Sequence, residues 1–181
     1  VPAFKLRFPA SRIRYWAARF RADEDDAVLR IGAAARRRGY LTRGEFLTLG
    51  EWKTPRSRPL RLKNSEKTVR AATRAAFATT DGALKVEALL RLRGVGLPTA
   101  SVILHLCDRD PYPIFDVRAL WSAGLTARAR TSIGIWLRYT EFARILVRGS
   151  GCSVREVDRA LWQYSKERQP NTPLPRSEVS R

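Results

Sequence analysis

The sequence predicts an all-α protein. Apolar residues recur three and four apart along most of the chain, and no sustained apolar/polar alternation marks a strand. Helix punctuation agrees. Thr42 precedes Glu45, and Ser153 precedes Glu156, at the spacing of a capping box. Gly39 follows the basic run Arg36-Arg37-Arg38, the pattern of a helix end. Eight to ten helices are expected. At 181 residues and 44% apolar composition, the chain suffices for one domain or two small lobes sharing a core.

The elements follow in order. Residues 1–10 hold two prolines and read as an irregular arm. Ile13, Tyr15, Trp16 and Phe20 place a helix over Arg12 to Phe20. The acidic cluster Asp23 to Asp26 suits the first turn of a helix running to Arg38. Thr42 caps a short helix ending near Gly50. Pro55 and Pro59 make Lys53 to Lys63 a loop, and Asn64 caps a long helix reaching about Thr80. Asp81-Gly82 is a turn, followed by a helix to about Leu92. The last helix opens at Ser153 and ends near Arg168, and Gln169 to Arg181, with three prolines, is a loose tail.

Composition narrows function. Lys+Arg is 35 against 17 Asp+Glu, a formal charge of +18, and 29 of the basic residues are arginine. Arginine and alanine abundance also fits a GC-rich genome, but the uncompensated charge predicts an anionic partner, above all nucleic acid. No apolar run approaches about 18 residues, so no transmembrane helix is expected. Val1 to Arg21 has no apolar stretch of the secretory kind. With no methionine, Val1 reads as a processed or trimmed terminus. Two cysteines and one histidine support neither a disulfide framework nor a zinc site, so a reducing, cytoplasmic setting is expected.

The most informative stretch is Leu89 to Leu104: an apolar helix, Arg93-Gly94-Val95-Gly96, then a second apolar helix from Leu97. Two glycines allow backbone geometries a Cβ obstructs. The free amides opening the second helix, with the positive end of its dipole, make a phosphate-binding corner. Pro98 is tolerated in that first turn. Val95 plugs the turn into the core. A plain αα-hairpin is the alternative.

Leu92, Gly94, Val95, Gly96, Thr99 and Ala100 match the apolar-x-Gly-Val-Gly-x-x-Thr-Ala pattern, and the stretch resembles the helix-hairpin-helix motif of DNA-binding proteins. Asp116 follows Gly96 by twenty residues, after the proline-containing segment Pro111 to Phe115. That arrangement resembles the helix-hairpin-helix DNA glycosylase superfamily over about Leu89 to Trp121. The resemblance implies a two-lobed fold in one domain, 1–168, with a DNA-binding cleft between the lobes. One lobe spans about 1–38 plus 126–168; the other spans about 39–125 and carries the hairpin at 86–106. A flexible tail, 169–181, follows. It implies a base-excision-repair hydrolase acting as a monomer in the prokaryote-like nucleoid. The enzyme would flip a damaged or modified base from duplex DNA and hydrolyse its N-glycosidic bond.

Asp116 is then the catalytic carboxylate. Breaking that bond develops positive charge on the sugar, which a carboxylate stabilises while orienting water. Before Val117-Arg118-Ala119 it is equally an N-cap, and the two roles are compatible. Bifunctional members carry a nucleophilic lysine two residues after the second glycine. Pro98 stands there, and Lys85 is poorly placed, so a monofunctional enzyme leaving an abasic site is expected. Lone Cys152 near the C-terminus excludes an iron–sulfur cluster. The resemblance also implies that the Leu92 and Val95 carbonyls can hold a monovalent cation against a phosphate; no other cofactor is expected.

Residues 36–74 hold twelve basic side chains against three glutamates. Lys53, Arg56, Arg58 and their neighbours read as phosphate contacts or as a solvated face. Trp52 reads as a stacking or wedging ring, or as core. Tyr40 and Arg118 are further contacts, and Glu51 is a possible second carboxylate. Glu45 belongs to its cap. His105 reads as a buried, satisfied histidine, and Trp121, Trp136, Trp162 and Tyr164 as core, with the pocket edge as the alternative for Trp121. The alternative to an enzyme is a non-catalytic helix-hairpin-helix DNA binder in which Asp116 only caps; an RNA-associated basic protein is a weaker one.

Overall fold

The computed structural model describes residues 4–21, 25–125 and 132–170. Residues 1–3 of the arm, Asp23 and Glu24 of the acidic cluster, residues 126–131 of the expected first lobe and residues 171–181 of the tail lie outside the described residues. Those described form ten α-helices and no strand. They are α1 (Ile13–Arg19), α2 (Asp25–Arg38), α3 (Arg43–Lys53), α4 (Arg58–Arg61), α5 (Glu66–Ala78), α6 (Gly82–Leu90), α7 (Leu97–Cys107), α8 (Val117–Ser122), α9 (Ile133–Ser150) and α10 (Val154–Arg168).

Both capping boxes form. The Glu45 amide donates to the Thr42 hydroxyl at 3.3 Å while the Glu45 carboxylate accepts the Thr42 amide at 2.8 Å. Ser153 and Glu156 do the same at the start of α10. Gly39, at φ +83°, closes α2 in the left-handed region.

Three boundaries differ from expectation. Helix α3 does not stop near Gly50; the Thr54 amide donates to the Gly50 carbonyl at 2.8 Å, so Trp52 and Lys53 are helical. Gly50 is instead a close-approach site, since a Cβ there would lie 2.3 Å from Nε of Arg61. Residues 53–63 are not an open loop. Pro55 and Pro59 sit in the first turns of a 3₁₀ turn (Pro55–Ser57) and of α4, where a missing N–H is harmless. Asn64 does not cap α5; Ser65 does, accepting the Thr68 amide at 3.1 Å. Helix α9, unplaced from the sequence, is capped by Ser132 and closed by Gly151.

Helix α7 is central, with every residue from Thr99 to Cys107 buried. Helices α2 and α3 pack on it, and α5 packs on α6. Helix α10 packs on α1 and α8, and α9 touches both α10 and α6. Helix α2, expected with the terminal segments, thus sits on the hairpin-bearing helix, because Val28 and Ala35 turn inward and a Cβ at Gly32 would lie 2.3 Å from the Leu106 carbonyl oxygen. The arm is irregular where it is described, and it is tied down. Lys5 and Arg7 donate backbone bonds to the Ala123 and Ser122 carbonyls, both at 2.9 Å.

Candidate active site and nucleic-acid interface

The hairpin between α6 and α7 is braced from beneath. Gly94 adopts φ +74°, and a Cβ there would meet Arg61 and Leu60 at about 3 Å. Arg61 is fully buried, donating to the Thr54 carbonyl at 2.7 Å and to the Gly94 carbonyl at 3.5 Å. Burial lowers its pKa from the usual guanidinium value. Asn64 clamps Arg93 on both sides: its Nδ2 donates to the Arg93 carbonyl and its Oδ1 accepts the Arg93 amide, each at 2.9 Å.

These contacts reassign expected phosphate groups. Arg61 is a strut rather than a backbone contact, and the Arg93 amide is already engaged. Thr99 as a whole residue is 3% exposed, so its side chain is not a phosphate contact. The opening turn of α7 has no side-chain cap on Gly96, which leaves the first-turn amides of Leu97 and Thr99 without an intrahelical acceptor. Val95 is half-buried against the core, and its amide donates to the Leu92 carbonyl at 3.2 Å. That carbonyl keeps its second lone pair, which fits the cation role implied for Leu92 and Val95.

Asp116 does two things at once. Its Oδ1 accepts the Arg118 amide at 2.9 Å, capping α8, while its Oδ2 accepts from the ammonium of Lys53. Lys53 closes α3, so the contact joins two segments that are distant in sequence. Both side chains are largely buried. They line a cavity of about 270 Å³, together with Phe20, Trp52, Ile114, Ala119, Arg155, Asp158, Arg159 and Trp162. Trp52 and Lys53 therefore do belong with Asp116, although not through a phosphate-tracking loop. Pro98 leaves the turn itself without an amine, and Lys53 of α3 brings one onto Asp116. Lys85 is elsewhere, buried and paired with Asp108 at 2.6 Å.

The sequence reading missed Asp158. It sits on α10, 8% exposed, and its Oδ1 accepts the Ile114 amide at 3.1 Å. Burial pushes its carboxyl up to about 7, against the pull of Arg155, Lys53 and the Ile114 amide; Asp116 pushes it further up. Trp162, expected in the core, lies one helical turn beyond and lines the same cavity. Phe20 packs edge-on against it at 5.3 Å, and the Arg118 guanidinium lies 5.6 Å from its ring. Tyr139 on α9 is fully buried, and burial with Asp158 and Asp116 nearby raises its pKa well above the usual value. The only signal for this face was the four-residue spacing of Asp158 and Trp162.

Other candidates fall away from the cavity. Glu51 pairs with Arg58 on the surface, so it is not the second carboxylate. Arg56 is exposed. Tyr40 is surrounded by the guanidiniums of Arg38, Arg70 and Arg74 at 4.9 to 5.1 Å. Trp121 stacks with Tyr164 and does not line the cavity. Phe46 and Trp136 are core. Buried His105 accepts from Arg155 on Nε2 at 3.2 Å, leaving Nδ1 to donate to the Tyr112 carbonyl at 2.7 Å. Burial pushes the Cys107 thiol up to about 12, which leaves it unreactive.

No group of His, Cys, Asp and Glu among the described residues could hold a metal ion. No described helix is long and apolar enough to cross a membrane. In comparisons with known proteins, no family model, no curated protein and no solved structure matches this chain.

Proposed function

We propose that the protein is a DNA glycosylase of the helix-hairpin-helix type, acting as a monomer on duplex DNA that carries a damaged or modified base. The carrying observation is the placement of Asp116, which caps α8 and faces an aromatic-lined cavity sized for one heterocycle. The Leu97 and Thr99 amides, with a cation on Leu92 and Val95, would grip the phosphate backbone. Arg-rich surfaces would add sequence-independent attraction. The flipped base would lie among Trp52, Phe20 and Trp162 with its sugar against Asp116. Base excision repair in a cytoplasmic nucleoid suits that activity.

Water is the nucleophile in this reading. Lys53, as an ammonium clamped on Asp116, has no lone pair to attack with, and it holds the carboxylate in place. The same contact favours a second reading. Lys53 could pass a proton to the departing base and form a bond from Nζ to C1′ as the glycosidic bond breaks; a second Nζ proton then passes to O4′ as the C1′–O4′ bond opens to an imine. Loss of a C2′ proton from the resulting imine would then expel the 3′-phosphate.

The test is base release from duplex oligonucleotides, each bearing one lesion, read with and without hot alkali and with borohydride. Alkali-dependent breaks, no borohydride adduct, and loss of release in Asp116→Asn support the monofunctional reading. A borohydride adduct that vanishes in Lys53→Gln supports the second. Tight duplex binding with no release from any base would favour a non-catalytic binder.

A further inference from the structure

We propose that Asp158 reads the flipped base and protonates it, restricting the substrate to bases with an amidine edge, a ring nitrogen beside an amino group, as in adenine and cytosine derivatives. The inference rests on the glycosylase reading of the cavity and names the substrate class within it.

The cavity lining combines aromatic rings with a buried carboxyl. Trp52, Phe20 and Trp162 supply aromatic surface, and Asp158 supplies a buried carboxyl one helical turn from Trp162. The Ile114 amide donates to Oδ1 of Asp158 at 3.1 Å, which tethers the carboxyl at the cavity. A second carboxylate, Asp116, lines the same cavity and is held by Lys53. The two acids therefore have separate tethers and separate tasks, one against the sugar and one against the base.

The protonation state fits the task. A carboxyl raised to about 7 is substantially protonated at neutral pH, whereas Asp116 is engaged with an ammonium. A carboxylic acid presents one donor and one acceptor side by side. An amidine edge presents the complement. On proton transfer the O–H bond of Asp158 breaks, an N–H bond forms on the ring nitrogen, and the base leaves neutral when its C1′ bond breaks. A lactam edge, as in uracil or thymine, also pairs with a carboxylic acid. Its carbonyl oxygen is too weakly basic to take the proton, so its departure is not assisted. The charged and titratable groups near Asp158 are Lys53 on α3, Asp116 ahead of α8, Tyr139 on α9, and Arg155 and Arg159 on α10.

The test compares single-turnover excision of adenine opposite 8-oxoguanine, N6-methyladenine and 5-methylcytosine with that of uracil, thymine opposite guanine, and hypoxanthine. Wild type, Asp158→Asn and Asp158→Glu are each checked for folding by thermal unfolding. Excision confined to one or more of the first three is expected. It should fall about 100-fold or more in Asp158→Asn, partly recover in Asp158→Glu, and decline as pH rises in wild type and Asp158→Glu but not in Asp158→Asn. Lactam bases excised as fast, or an equal loss on both sets in Asp158→Asn, would overturn the proposal. If wild type excises nothing, the glycosylase reading fails by itself. Affinity for 2′-fluoro-arabino duplexes then decides this one. A preference for adenine over uracil that Asp158→Asn removes sustains Asp158 as the reader, and equal affinities overturn it.

Discussion

The ammonium of Lys53, at the end of α3, bonds Oδ2 of Asp116, the residue that opens α8. It is an ion pair between residues 63 apart in sequence, with both members mostly shielded from water. Lys53→Gln removes the charge and keeps a donor. We expect base release to fall about tenfold or more, as for loss of an oriented acid–base group, with unchanged duplex affinity. Single-turnover rates beside equilibrium binding check it; a loss confined to affinity would make Lys53 a phosphate contact.

Gly94→Ala should loosen the hairpin. The substitution forces a Cβ into a left-handed residue and against Arg61 and Leu60. A loss of about 1–3 kcal/mol in unfolding free energy is expected, with weaker duplex binding. Denaturant unfolding and a binding isotherm read the two effects separately. Gly39→Ala is the control, since it shares the positive φ but meets nothing within 4 Å.

The Lys85–Asp108 pair is structural. Both side chains are 5% exposed, and the ammonium also donates to the Ala76 carbonyl at 3.2 Å. Lys85→Met strands a buried carboxylate and should destabilise by about 3–5 kcal/mol. Excision per folded molecule should persist. A borohydride adduct lost in this variant but kept in Lys53→Gln would contradict the assignment.

Asp158 makes stability depend on pH. Its folded pKa is raised to about 7 from an ordinary value of 3.8, so the folded state binds the proton more tightly than the unfolded chain. Its contribution is full below about pH 4 and is lost as pH rises through about 7. Asp158→Asn never ionises and can still accept the Ile114 amide. Relative to wild type, it should be more stable at pH 8 than at pH 5. Unfolding at both pH values checks this, and a stability difference that does not change between them would contradict it.

Local punctuation was legible in the sequence because it acts over a few residues. The Thr42 and Ser153 capping boxes, the Gly39 stop, the Gly94 turn and the Asp116 cap each depend on neighbours within about one helical turn. Helical periodicity settled the all-α class for the same reason. The misplacements occurred where a distant residue intervenes. Gly50 looked like a stop and is a seat for Arg61; Asn64 looked like a cap and is a clamp on Arg93.

The sequence by itself determined the all-α class, most of the helices though not α4 or α9, the charge, the hairpin and the one carboxylate whose distance from the hairpin gave it meaning. Only the tertiary structure decided what surrounds that carboxylate. Lys53 and Trp52 arrive from α3, and Asp158 and Trp162 from α10, each read locally as a basic loop or an apolar helix face. Their pairing depends on how α3 and α10 pack around α7 and α8, a matter of side-chain volumes summed over the core rather than of spacing along the chain. Burial, which raises Asp158 and leaves Cys107 inert, is likewise a property of the packed molecule and not of any segment of it.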